Sequence, residues 1–467
     1  MLWLLSCHQN HLIEDQDSTP TIIIIGGGAS GLATAKRLVE LGLSPLIIEE
    51  GDSLGGAGIH AGRFFAVQSS WQEAQNIDDS SIQALSEWET ITGQIPDESI
   101  EAFIQNSSET LRWLSQNGAY FEQVVSDYGA GSIPRIHTLS QDHPHPLLTW
   151  IEILQPYSHT NETVEDIYTS DNHIIVQSDK NQYLADIVVI ATGGFSRNTD
   201  LVEEFQPALT NVDWSMEAWP NMTGTAIYWF LQNNWPLMNM EHVGLYAHSV
   251  LDPIKGFPEV MIVPALQRAL IVNRNGERTF NEEMIQSLQL GHLYLNEGPL
   301  YAIFDQPLWQ GSTMRGLGYN YNPPLELTST EYATYTTVSS ANDIRDLAIE
   351  LGFRPDTFGS TIAQYNAGFV NNEDPFHKDL SQTFPIQSPP FYAVPIVLSS
   401  AKSFGGALLT DQHHVPNHPN IYVVGESAGF LGTEAIGWGF SGSITSCYYF
   451  GKTVAETIYS SLESSIE

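Results

Sequence analysis

The sequence predicts an α/β fold organised around a central parallel sheet, and three observations between residues 21 and 50 lead to it. Ile22–Ile25 is a short, wholly apolar, β-branched run, as a strand buried on both faces requires. Gly26, Gly28 and Gly31 follow at GxGxxG spacing, ahead of a helix expected from Ala29 to Leu41. Leu46 to Ile48 then makes a second apolar run that stops at Glu49. Strand, glycines, helix and second strand in that order form one βαβ unit. In such a unit the first glycine permits the tight turn, the second lets backbone approach a pyrophosphate, and the third lets the helix pack on the strand. The helix presents its N-terminal amides, at Ala29 and Ser30, and its positive dipole end to the phosphates. A carboxylate about 20 residues beyond the glycines accepts ribose hydroxyls. The unit therefore reads as a dinucleotide site, with Glu49 on the ribose and Glu50 beside it.

Composition narrows the class. In 467 residues, 42% hydrophobic and 11% aromatic content suffices for two or three packed domains. A net charge of −37 argues against nucleic acid as a partner, because the 17 Lys and Arg residues leave few cations to neutralise phosphates. Cys7 and Cys447 stand at opposite ends of the chain, which indicates neither a disulfide framework nor a cysteine metal site, and no metal is expected. No apolar run reaches the roughly 18 residues that a spanning helix needs. Residues 1–20 read as an N-terminal tail. Leu4 to Cys7 has the order of a bacterial lipoprotein processing site, yet its apolar segment is short and has no basic lead. A cytoplasmic protein and a cell-envelope lipoprotein with a truncated signal both stay open.

Further along, Gly55, Gly56, Gly58 and Gly62 follow the carboxylates directly and let backbone lie close to an extended cofactor. Ser80 to Gly93 and Pro96 to Gly118 read as helices, the second burying Leu111, Trp113 and Leu114. Ile174 to Gln177 and Ile187 to Ile190 read as strands. The latter runs into Ala191, Thr192, Gly193 and Gly194, again a place where backbone can touch a cofactor. Ile421 to Val424 is another strand, running into Gly425 and Glu426. Between Met240 and Pro395 the glycine fingerprints stop. There Ala269 to Asn273 and Glu277 to Phe280 flank Arg274 to Gly276 as an expected β-hairpin, with Asn275-Gly276 supplying the turn.

Taken together, GGGASG with Glu49, then EEGDSLGG, VVIATGGFSRN, FGGALLTD, NIYVVGESAG and a terminal glycine-rich helix resemble the flavoprotein subunits of fumarate reductase and succinate dehydrogenase. Ketosteroid dehydrogenases share the plan, and the resemblance runs from residue 21 to about 460. It implies FAD in the GxGxxG site. It also implies a discontinuous, Rossmann-like FAD-binding domain over 21–241 and 395–467, with an α+β capping domain over 242–394 inserted in it. Gly26, Gly28, Gly31 and Glu49 match ADP-binding positions, Gly55 and Gly56 the loop beside pyrophosphate and flavin, and Glu426 the acidic residue that holds the ribityl chain. The stretch with Gly439, Ser441, Gly442 and Ser443 would aim the N-terminus of the last helix at the flavin pyrimidine ring. Covalently flavinylated members carry a histidine just after the position of Gly56. Ala57 stands there in this chain, so non-covalent FAD is expected.

For the chemistry the match is partial. Members that reduce fumarate deliver hydride from flavin N5 to one carbon while an arginine protonates the next. Gln286 stands at that arginine's position, and Ala435 at a second arginine that grips a carboxylate. Losing both removes the bidentate forks that recognise a small dicarboxylate, so fumarate is not the expected substrate. Lys402 replaces a carboxylate-binding histidine immediately before Ser403, Phe404, Gly405 and Gly406. His242 lies near the family's other substrate-facing histidine, and Tyr246 is a further candidate proton donor, with His248, Arg268 and Arg278 behind them. Arg135 and His137 match an element near the active-site mouth, or form a surface turn. The expected function is that of an FAD-dependent oxidoreductase with a small-molecule substrate and an unidentified electron donor or acceptor. It would reduce or desaturate a C–C bond next to a carbonyl or carboxylate. An electron-transfer flavin subunit and a redox-sensing FAD protein are the alternatives.

Overall fold

The structure is a computed structural model that describes residues 12–13, 20–92, 95–126, 133–170, 173–252, 254, 260–262, 265–283, 288–316, 325–335, 338–429 and 442–464. At its centre is a six-stranded sheet in the order His414–Val415, His418–Val423, Ile187–Ile190, Ile22–Ile25, Leu46–Ile48, Ser158–His159. All neighbours are parallel except the first pair. Ile25 pairs with both Ile190 and Ile48, and Ile190 with Val423, so the four inner strands end level. The expectation of a strand buried on both faces holds, since no isoleucine of Ile22–Ile25 is more than 3% exposed. Ile22 and Ile24 join Leu32, Val189 and Val454 in one core, while Ile23 and Ile25 join Val188, Val176 and Trp229 in the other. On the first face the helix Ala29–Glu40 meets the C-terminal helix Gly442–Ser464. They approach so closely that a Cβ on Gly451 would stand 2.6 Å from the Ser30 carbonyl oxygen.

The helices Ser81–Thr92 and Glu98–Gln116 form where expected, the second capped by Asp97, which accepts the Ile100 amide at 2.9 Å. Leu111, Trp113 and Leu114 are buried beneath it. Val164–Ser170, His173–Ser178 and Gln182–Ala185 make an antiparallel sheet. Leu12–Ile13, expected in a tail, adds to its edge against Gln182 and Tyr183. A mixed sheet places Val397–Ser403 between Trp214–Met216, to which it is parallel, and Val243–Leu251, to which it is antiparallel. It continues through Val260–Ile262, Thr313–Gly316 and Glu326–Thr328. Its hydrogen bonds thus cross the boundaries expected at 242 and 395.

A four-stranded antiparallel sheet, Leu270–Val272, Tyr301–Phe304, Phe391–Pro395 and Ser339–Ala341, completes the inserted region. It shares a core of Leu270, Ile303, Leu347, Phe358 and Tyr365 with the helices Ile344–Glu350 and Pro355–Asn371. The expected hairpin is half present. The turn closes with the Asn273 amide donating to Glu277 at 2.9 Å and Gly276 at φ 78°, but no strand follows over residues 277–280. Arg278 turns inward instead, its Nε donating to Glu282 at 2.8 Å, while Glu282 accepts the Ile271 amide. Leu270–Val272 pairs with Tyr301–Phe304 in place of a hairpin partner. Among the described residues no helix is long and apolar enough to cross a membrane, and no His, Cys, Asp or Glu group is arranged to hold a metal ion.

Candidate active site

Beyond the C-terminal ends of the parallel strands lies a cavity of about 480 Å³. That is where an open α/β sheet places its ligands, and the volume falls within the range of small-molecule and cofactor sites. Gly26, Gly28, Ala29 and Ser30 line it. A Cβ at Gly31 would press to 2.0 Å from the Gly26 carbonyl oxygen, so helix and strand touch there. At Gly28, by contrast, an added Cβ would meet no protein atom within 4 Å. That open space at a helix N-terminus is the cradle a pyrophosphate needs. Glu49 is 8% exposed, and its two oxygens accept the Gly27 and Gly51 amides at 2.7 and 2.8 Å. The carboxylate is thereby oriented, with lone pairs left for ribose hydroxyls. Glu50 lines the same end, its carboxyl pushed up by desolvation and by the neighbouring Glu49 charge.

Across the cavity, Ala191, Thr192 and Gly193 leave the strand Ile187–Ile190, and Ser427 Oγ donates to the Gly193 carbonyl at 2.9 Å. Glu426 follows the strand His418–Val423 and faces the same space. Burial pushes its carboxyl up to about 7, against the opposing pull of Lys402 and of a Ser403 backbone hydrogen bond. Its Oε2 is buried with no hydrogen-bond partner. A buried oxygen of this kind calls for a ligand hydroxyl. Gly56 and Ala57 also line the cavity, and Gly55 lies beneath, its amide bonded to the Gly27 carbonyl at 2.8 Å.

The remaining wall is formed by Glu217, Trp219, His60 and Lys402, with the His60 and Trp219 rings 4.4 Å apart. Lys402 arrives on Val397–Ser403, paired with Gly244. Glu217 was not singled out in the sequence, for its run Met216 to Asn221 carries no motif, and only pairing with a strand some 180 residues away brings it here. It lies 2.7 Å from His248 Nε2 and accepts Ser399 Oγ at 2.7 Å. Burial opposes its charge, yet His248, Ser399 and Lys402 hold its carboxyl below the usual range. Cys447 lines the cavity too, and burial raises its thiol to about 12, which keeps it protonated.

Other candidates fall elsewhere. His242 is outside the cavity wall, with its Nε2 3.8 Å from Glu241. Tyr246 is fully buried in a small apolar cluster with Phe404 and Ala401, its ring 5.2 Å from that of His248. Arg135 and His137 form no surface turn. Arg135 is buried against Asp79 at 2.8 Å, and His137 Nε2 lies 2.6 Å from Ser69 Oγ. Arg278 is locked between Glu282 and Asp374, and Arg268 is exposed. Gln286, Ala435, Gly439 and Ser441 lie outside the described residues, while Gly442 and Ser443 open the C-terminal helix.

The phosphate cradle, the oriented ribose carboxylate and the unpartnered Glu426 oxygen fit FAD, and together they mark the site of a flavoprotein. The chain belongs to the FAD binding domain family, which it matches over residues 21–440. It is an FAD-dependent enzyme. It is 24% identical over 450 residues to an NADH:fumarate oxidoreductase of Klebsiella pneumoniae, with 87% of this chain aligned but only 44% of that protein's length spanned. A vinyl phenol reductase of Lactiplantibacillus plantarum is also 24% identical, over 92% of this chain and 94% of its own. In fold, the 3-ketosteroid Δ1-dehydrogenase of Sterolibacterium denitrificans superposes with a TM-score of 0.76 at 18% identity, covering 95% of this chain and all of that one.

Proposed function

We propose that this enzyme transfers hydride between the flavin and a carbon substrate other than fumarate, reducing or desaturating a C–C bond next to an activating carbonyl or carboxylate. The observation that carries this reading is Lys402, which lines the cavity that also holds the phosphate cradle. FAD, when bound, supplies the hydride chemistry. Gly28, Glu49 and Glu426 would hold it, and Ala57, at the position where covalent relatives carry histidine, leaves it non-covalent. Lys402 Nζ serves as hydrogen-bond donor to an activating oxygen and as a proton source or sink, so charge that develops during transfer is met by a fixed cation. Relatives and fold neighbours whose names specify fumarate, vinyl phenol and ketosteroid support a C–C bond as the reacting group. Gln286 and Ala435 support excluding fumarate itself, since neither offers a guanidinium fork.

A steady-state survey of enoates, enones and ketosteroids with an artificial electron carrier tests the reading. Turnover is expected with at least one of these and not with fumarate. A protein that exchanges electrons with the carrier but turns over none of them would be an electron-transfer subunit. Rapid fumarate reduction would reinstate the dicarboxylate site.

A further inference from the structure

The wall around Lys402 is more constrained than a lone cation would be. Met216 pairs with Ser400, and the chain leaving that strand stays attached, the Glu217 and Ala218 amides donating to the Ser400 carbonyl at 2.9 and 3.1 Å. This sets Glu217 beside Ala401 and Lys402, all three on the cavity wall. The Glu217 carboxylate is then fixed twice from behind, by Ser399 Oγ and by His248 Nε2, each at 2.7 Å. His248 is given over to this contact. It is 5% exposed, its Nδ1 has no hydrogen-bond partner, and the Tyr246 ring stacks on it at an interplanar angle of 14°.

We propose that Glu217 is the specificity-determining residue of this site. Fixed by His248 and Ser399, its carboxylate balances the Lys402 ammonium, so that the cavity takes an uncharged α,β-unsaturated carbonyl compound and rejects a carboxylate. This rests on the C–C chemistry proposed above and narrows its substrate class. An ammonium with three N–H donors can stand between carboxylates and still donate to a carbonyl oxygen. It offers little net positive potential to an anion, however, because the anion must also approach Glu217 in a desolvated space where like charges repel strongly. The net charge of −37 disfavours anion approach at longer range.

Cinnamate and benzalacetone are a suitable pair, since they share a skeleton and differ in carrying a carboxylate or a methyl ketone. Binding is read on the FAD-loaded protein from perturbation of the flavin absorbance, and turnover with a reduced dye. Wild type is expected to bind benzalacetone at least about tenfold more tightly than cinnamate, the usual scale of one misplaced charge. Glu217→Gln, which keeps shape and hydrogen bonds, should close most of that gap by tightening cinnamate. Equal or tighter cinnamate binding by wild type, binding of neither compound at millimolar concentration, or an unchanged gap in a flavin-loaded Glu217→Gln protein would each overturn the proposal. Should that variant fail to fold, the wild-type comparison still decides, and Glu217→Asp, which keeps the charge, should keep the gap. Benzalacetone bound preferentially but never reduced would leave this proposal standing and remove the C–C reading. Cinnamate preferred and reduced would do the reverse.

Discussion

Lys402 shows how one side chain can be placed from sequence while its surroundings are not. Its position before Ser403 and the glycine pair identified it, but Glu217 and His248 come from other parts of the chain and were brought to it, and to Ser399 on its own strand, by strand pairing. Lys402→Met keeps most of the stem and removes the charge. It should leave flavin content and melting temperature near wild type while lowering turnover about a hundredfold or more, the scale of a lost acid–base or electrostatic group. Wild-type turnover on whichever substrate the survey identifies would take Lys402 out of the chemistry.

Two other residues carry a pH dependence. Burial pushes both His137 and His413 down to about 4, from an ordinary 6.5. The unfolded chain takes up these protons near pH 6.5 and the folded chain does not, so their stabilisation is full above 6.5 and drains away as pH falls towards 4. The loss is of order 3 kcal/mol for each at its limit. Urea unfolding at pH 7.5, 6 and 5 should show it, with a shallower dependence in His137→Gln. Parallel profiles for the two proteins would place the acid sensitivity elsewhere.

Among the elements, the βαβ unit was legible because its signals are local: an apolar run, glycines at fixed offsets and a terminal carboxylate, all within residues 21–50. The hairpin at Asn275 was misread because its turn is local but its second arm is not. Arg278 is drawn away by Glu282, four residues on, together with Asp374, which lies 96 residues away and outside any local window. Strands such as Gln182–Ala185 and Trp214–Met216 were missed for the same reason, being short and defined by their partners. The glycines allow a contrast within one unit. Gly28→Ala should fold and melt like wild type, since its Cβ meets nothing, yet purify with little FAD. Gly31→Ala should fail to fold, its Cβ standing 2.0 Å from a carbonyl oxygen. Flavin absorbance and a melting curve separate the two outcomes, and full flavin content in Gly28→Ala would show that the cradle lies elsewhere.

For the whole molecule, the flavin fold could be read at family level because its motifs punctuate the chain in a fixed order, whereas the inserted region announces itself mainly by their absence. Ala57 at the attachment position implies that acid or heat denaturation should release all the flavin into the supernatant as FAD. Yellow colour retained on the precipitated chain would point to another nucleophile.

The strand Val397–Ser403 also has a mechanical meaning. It is laced on one edge to residues 214–216 and on the other to residues 243–251, so the sheet it occupies spans both joints between the nucleotide-binding segments and the inserted region. Such a sheet resists as a plate does. Swinging the two regions apart like jaws would break a row of ladder bonds together, and gliding would shift the register that sets the height of Lys402. Side chains of the cavity wall such as Trp219 and His60 turn on far shorter timescales than whole domains.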